Sequence, residues 1–342
     1  MPSAPCAHLQ GRLGCRPQSG DRAALGAAVL AAALFIIIAA KPQDRFAAHL
    51  IHLVLLHRNA SFAHTCTMTQ ADWKKIDDAI RIDPGAKPVL AKTDPESNAL
   101  FPDKDKAEAC IKDTAHMINV LQDRLYAEGK RALLVVLQGM DTSGKDGTVR
   151  GVFNDTGPLG VTVTPFGKPS EEELQHDYLW RVHRAVPRRG TIGIFNRSHY
   201  EDVLVVKVRH LAPAAAIEQR YDQINAFEKH LAENGVTILK FMLHISKDEQ
   251  KKRLQDRLED PAKRWKWNAS DLDDRRLWSQ FQAAYETMLA RCSTLHAPWR
   301  IVPADKKWRR NAIIATIVHG TLAEMNPQYP TFDWKPTDFR IE

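Results

Sequence analysis

The chain has 342 residues, of which 44% are hydrophobic, and carries 48 Lys/Arg against 41 Asp/Glu for a formal charge of +7. This suits one generous α/β core, and one catalytic domain is the simpler expectation. Residues 1–67 hold six Lys/Arg and two Asp, whereas the rest holds 42 and 39, so the overall basicity is no argument for a nucleic-acid partner.

Cys6, Cys15, Cys66, Cys110 and Cys292 fall at no metal-ligand or redox spacing, and an odd, scattered set argues against a disulfide framework. The main body therefore reads as cytoplasmic. The opening segment is different. Ala23 to Ala40 is an 18-residue run without charge, flanked by Arg12, Arg16, Arg22 and Lys41. It has the length of a membrane span and the make-up of a signal sequence. The abrupt change of composition at Met68 fits equally well a translation start there, with 1–67 outside the working protein.

Residues 68–105 are rich in Pro, Asp and Lys without periodicity, which predicts an irregular arm. Apolar residues at helical spacing predict a helix over 110–126, ended by Gly129. The run Ala132 to Leu137 has the length and make-up of a buried parallel strand. Strands then follow at 161–163, 191–195, 236–245 and 299–302. Helices are predicted over 171–186, 216–234, 247–259, 272–293 and 311–325. This alternation predicts a three-layer α/β/α fold with a central parallel sheet over 106–330 and a tail over 331–342.

Directly after the first strand stands Gly139-Met140-Asp141-Thr142-Ser143-Gly144-Lys145-Asp146-Gly147-Thr148. A strand, a glycine-bounded loop with lysine, and a helix bring backbone N–H groups and a helix N-terminus onto phosphate oxygens, with the lysine neutralising charge. The usual Ser/Thr after the lysine is replaced by Asp146, and Thr148 stands two places later. Metal binding must then lean on other carboxylates, Asp141 first among them.

The strand 191–195 runs into Asn196-Arg197-Ser198-His199-Tyr200-Glu201-Asp202. In an open parallel sheet, ligands bind beyond the carboxyl ends of the strands, so this cluster should share a crevice with the phosphate loop. Arg197 is suited to clamping a phosphoryl oxygen, Asp202 or Glu201 to holding a metal, and Asn196 to hydrogen-bonding a phosphate or water. His199 and Tyr200 are expected to pack or orient. Ser198 and Glu201 also have the spacing of a capping box.

Between Lys251 and Lys266 lie seven Lys/Arg with Trp265 inside the run and Trp267 after it. Following a strand end, this segment, about 247–272, is expected to be a closing lid. Its tryptophans suit stacking on a base or anchoring a hinge. Arg181, Arg184, Arg188 and Arg189, with Lys168, form a further basic cluster suited to a polyanion.

Taken together, the loop, Phe166-Gly167-Lys168-Pro169-Ser170, His176-Asp177-Tyr178-Leu179-Trp180-Arg181 and the stretch from Phe195 to Asp202 resemble the polyphosphate kinase 2 family. The resemblance runs from about Asp105 to Pro327. It implies a P-loop kinase with a lid that uses Mg²⁺, or Mn²⁺ in its place, to move a phosphoryl group between inorganic polyphosphate and nucleoside mono- or diphosphates, with ATP as a product or donor. It casts Asp141 and Asp202 as the metal-coordinating and catalytic carboxylates, and Lys145 and Arg197 as phosphate clamps. Gly139, Thr142, Ser143, Gly144, Asp146, Gly147 and Thr148 would form the phosphate cradle. Asn196 and Glu201 would complete the nucleotide site, and Arg253, Arg257 and Arg264 would be lid arginines. Asn196 with Glu201-Asp202 looks like the branch accepting AMP and ADP. A homo-oligomer is expected. The rival readings are an ATP-dependent kinase of a nucleoside or small metabolite and a non-catalytic polyanion-binding protein.

Overall fold

Five strands, all parallel, run in the order β2-β3-β1-β4-β5 through the centre of a computed structural model that describes residues 70–341. The expectations for residues 1–67 lie outside the described residues. Among the described residues no helix is long and apolar enough to cross a membrane.

The strands are β1 (Ala132–Gln138), β2 (Val161–Pro165), β3 (Ile192–Asn196), β4 (Val236–His244) and β5 (Trp299–Pro303). β1 is central because it is apolar on both faces: Leu134 and Val136 point into one core, Leu133, Val135 and Leu137 into the other, and all are fully buried. The first core is closed by α7 (Ala214–Glu233) and α10 (Trp278–Cys292), through Tyr221, Ile224, Met288 and Leu289. The second is closed by α2 (Lys104–Glu128) and α11 (Lys307–Met325), through Ile118, Leu121, Ile313 and Ile317. The expected three layers are therefore present.

Departures from the sequence expectations have identifiable physical causes. The segment 68–105 is not irregular throughout, because Gln70–Ile80 form a helix, α1, whose Trp73 covers Gly320 of α11. Its Asp77 pairs with Arg300 of β5, a long-range contact that no local periodicity announces. The single helix expected over 171–186 is two short ones, α4 (Glu171–Leu174) and α5 (Trp180–Ala185). Ser170 and Glu173 form a capping box that starts α4, and the Asp177 side chain then accepts from Leu179 N–H and sets a new turn. The helix expected over 272–293 is likewise divided at Leu277, into α9 (Ser270–Arg276) and α10. Two further short helices complete the count among the described residues, α3 (Lys145–Val152) after the phosphate loop and α6 (Val205–Val208). The segment expected to be the lid comprises α8 (Lys247–Glu259), a 3₁₀ turn at Arg264–Lys266 and α9.

Candidate active site

Strand register decides what meets at the carboxyl edge of the sheet. Leu137 lies opposite Asn196 and Gln138 opposite Met242, so the phosphate loop leaving β1 emerges between the ends of β3 and β4. Gln138 donates to Ser198 Oγ at 3.1 Å, and Arg197 N–H donates to Leu137 O at 3.0 Å. The two polar stretches singled out in the sequence are thus stitched side by side.

Thr142 and Arg197 both take left-handed backbone conformations, each with φ of 65°. For non-glycine residues this costs roughly 1 kcal/mol or more apiece and is typical of functional sites. Left-handed residues in such loops are an element of the concave N–H runs suited to anions. Gly144, with φ of 100°, leads into α3, and a Cβ there would lie 1.8 Å from Arg310 Nη1. The loop is braced from behind: Arg253 Nη1 donates to Thr142 O (2.9 Å) and Ser143 O (3.2 Å), and Arg310 Nη1 to Ser143 O (3.2 Å). A peptide carbonyl and the following N–H point in opposite directions, so drawing these carbonyls back turns the N–H of Gly144 toward the cradle.

The lysine is buried and donates to Gly139 O at 2.8 Å. Burial foremost, and then Arg197, push Lys145 down to about 8. Burial and Arg253 also push Arg310 down to about 9, and among the described residues its side chain bonds Ser143 O and Asn311 Oδ1 but no carboxylate. Thr142 Oγ1, Ser143 Oγ and Thr148 Oγ1 are buried without a protein partner among the described residues. Buried cations and unsatisfied hydroxyls in one loop are costly unless a polyanion completes them.

Across the crevice, Arg197 joins the two halves of the site. Its guanidinium makes a short ion pair with Asp141 and a second, at 3.3 Å, with Glu201. Glu201 is the main cause holding that arginine firmly charged. Glu201 turns to Arg197, so the capping box expected with Ser198 does not form; Ser198 Oγ still caps the 3₁₀ turn His199–Val203 by accepting from Tyr200 N–H. Asn196 donates to Asp146 Oδ1 at 2.8 Å. Asp202 stands on the far side of the turn, bound by Arg220 through both its backbone and side chain (2.9 and 3.2 Å). It opens on a cavity of about 310 Å³ that Tyr178, Arg181 and Arg220 also line. Burial holds the Asp202 carboxyl above its ordinary range, with Arg220 opposing.

His199 and Tyr200 are buried, as expected of packing residues, in a network the sequence did not announce. Lys240 of β4 donates to Glu228 (2.6 Å), Tyr200 Oη (2.7 Å) and Cys292 O (2.7 Å), while His199 and Tyr200 both reach Glu228 Oε1. The site-bearing turn is thereby fastened to the core.

Of the expected lid arginines Arg253 turns inward, Arg257 is half-buried, and Arg264 is exposed. Arg253 is buried beneath the loop, where it also holds Ala304 O and Asp305 O, each at 2.8 Å. Arg257 pairs with Asp271 at 2.9 Å, and Arg264 donates to Leu258 O. The arginines after Trp180 do not form one track: Arg184 lies over Trp180, Arg188 over Tyr126, and Arg181 faces the Asp202 cavity. Arg310, Lys240 and Glu228 were missed in the sequence. The one available signal was Gly144, Gly147 and Gly151 on a single face of α3, the face that Arg310 and Asn311 cover.

A parallel sheet with a lysine-bearing phosphate loop and, at the neighbouring strand end, an arginine and carboxylates is the arrangement of an α/β phosphotransferase. The model of the polyphosphate kinase 2 (PPK2) family matches residues 102–330, and the chain belongs to that family; it is a polyphosphate kinase. An AMP/ADP-polyphosphate phosphotransferase of Meiothermus ruber is 50% identical over 251 residues, 73% of this chain and 94% of the relative. An ADP-polyphosphate phosphotransferase of Rhodopseudomonas palustris is 38% identical over 262 residues, 73% of this chain and 91% of the relative. The crystal structure of polyphosphate kinase 2 from Arthrobacter aurescens TC1 superposes with a TM-score of 0.74 at 41% identity, covering 77% of this chain and 94% of that one.

Proposed function

We propose that this enzyme transfers a phosphoryl group between inorganic polyphosphate and AMP or ADP, with GDP as a further acceptor, in a reversible, Mg²⁺-dependent reaction for which Mn²⁺ can substitute. The observation that carries this reading is the Asp141–Arg197 pair, which joins the phosphate loop to the stretch after β3 whose Asp202 lines the cavity. Donor and acceptor phosphates brought to the two sides of that pair would meet in line.

The donor's terminal phosphates would rest on the N-terminus of α3, with Lys145 and the loop N–H groups absorbing charge. The acceptor phosphate would enter from the cavity, where Arg181 and Arg220 offer guanidinium groups. Its oxygen is already anionic, so no strong base is required, and the work left to the protein is alignment and charge stabilisation. Among the described residues no three His, Cys, Asp or Glu side chains form a ready-made metal cage. Mg²⁺ asks for less: one or two carboxylates together with phosphate oxygens and water. Asp141 and Asp202, with the unpartnered loop hydroxyls in support, fit that demand. A divalent ion held by these residues would supply neutralisation of phosphate charge during transfer.

The test is ATP formation from ADP or AMP and polyphosphate by purified protein. Asp141→Asn and Asp202→Asn should each lower kcat at least about 100-fold with the fold retained by circular dichroism. Full activity in both would defeat the assigned roles. Replacing polyphosphate by ATP plus nucleosides or small metabolites separates the rival kinase reading. Light scattering checks the expected homo-oligomer, and a salt titration with DNA checks the expected absence of a nucleic-acid partner.

A further inference from the structure

The position after the phosphate-loop lysine ordinarily holds a metal-binding hydroxyl, and here it holds Asp146. Its carboxylate is already engaged by two partners from elsewhere in the fold. Oδ1 accepts from Asn196 at the end of β3 (2.8 Å), and Oδ2 pairs with Lys266 Nζ (3.0 Å). Lys266 closes the 3₁₀ turn of the lid segment. The first turn of α3, the strand end and the lid therefore converge on one carboxylate.

Lys266 reaches the crevice while the lid arginines are committed to other contacts. Arg253 holds loop carbonyls and Arg264 holds Leu258 O. Arg257 is locked to Asp271 and donates to the backbone carbonyl of Lys266 itself at 3.2 Å, so it sets where Lys266 stands. The Lys266–Asp146 pair is half exposed, with side-chain exposures of 25% and 54%, and such pairs bind weakly. A polyphosphate end lying on the adjacent α3 N-terminus presents several charged oxygens, for which a flexible ammonium exchanges a single solvated carboxylate readily.

We propose that Lys266 is a catalytic residue of the lid: held at the crevice by Asp146, its ammonium supplies charge to the phosphoryl group under transfer. Arg257 is then the positioning residue of Lys266, and Asp146 its partner in place of the missing hydroxyl. No bond is made or broken by Lys266; it supplies charge where charge develops. This rests on the phosphotransfer reading above.

The experiment measures kcat and KM for polyphosphate, with ADP saturating, together with thermal midpoints, for the wild type, Lys266→Met, Lys266→Arg, Asp146→Asn and the Lys266→Met/Asp146→Asn double variant. Expected is a fall in kcat of about 100-fold in Lys266→Met, an unchanged melting midpoint, and substantial recovery in Lys266→Arg. Asp146→Asn should lose less than Lys266→Met, and the double variant should lose less than the two single losses combined, because the lysine and the carboxylate act as a pair. Equal losses in the two single variants, confined to KM, would mean a simple lid tether and overturn the proposal, as would a Lys266→Met kcat within about threefold of wild type. An inactive wild type would instead strike the phosphotransfer reading itself, and this inference with it.

Discussion

Replacing Lys240 by Met keeps most of the side-chain volume and deletes one ammonium from the centre of the first core. Both Lys240 and Glu228 have side chains with 0% exposure, and their charged atoms lie 2.6 Å apart. Burial opposes the Glu228 charge, but Lys240 and His199 outweigh it and hold the carboxyl below its ordinary range. Removing one partner leaves a buried carboxylate uncompensated, which costs about 3–5 kcal/mol. For a chain of this size each kcal/mol moves the midpoint by about 1.5–2 °C, so Lys240→Met should melt roughly 5–10 °C lower. Adding Glu228→Gln removes the stranded charge and should return about half of that loss or more. The assay is thermal unfolding of wild type, both single variants and the double variant, closed as a double-mutant cycle. Because Glu228 is depressed, its contribution is present above the unfolded pKa of about 4.3 and is lost as pH falls through the lower folded value. A Lys240→Met loss under about 1 kcal/mol, or a double variant no more stable than the single, would refute the reasoning. The same network fastens His199 and Tyr200, so Lys240→Met should also lower kcat at temperatures where the chain remains folded.

Lys145, pushed down to about 8, carries its charge fully below that pH and loses it as pH rises through it. In the free enzyme, kcat/KM for polyphosphate should therefore fall above this pH by about tenfold per unit, while kcat holds to higher pH because bound phosphate restores the ammonium. Stability runs the other way: the unfolded lysine keeps its proton up to about 10.4, so folding should become slightly more favourable between the two values. Gly144→Ala should destabilise by roughly 2–4 kcal/mol through its left-handed backbone and the clash with Arg310. Its polyphosphate KM should rise in the same variant, and calorimetry with initial rates checks both.

Much of the site was legible because phosphate chemistry is written locally. The run Ala132 to Leu137 can only be a strand buried on both faces, and a glycine-bounded lysine loop directly after it has few other uses. The cluster after Phe195 was likewise readable, since the ends of parallel strands face one crevice. Helix breaks at Asp177 and Leu277 were not, because a 3.6-residue period continues through a local side-chain turn. Arg253 shows the limit most clearly. In sequence it belongs to a charged helix after a strand, as a lid arginine would, and in the fold it lies beneath the loop with its guanidinium spent on carbonyls.

Determined by the sequence itself were the alternation of strands and helices, the phosphate loop with Asp141 and Lys145, and the polar ends that such a sheet gathers on one edge. These depend on contacts within a few residues and on the fixed handedness of parallel crossovers. Left to the tertiary structure were the partners of the buried charges: Arg310 behind Gly144, Lys240 with Glu228, and Lys266 over Asp146. Each pair spans at least twelve residues, and the strength of a charge depends on its burial and neighbours, which exist only once the chain has closed around them.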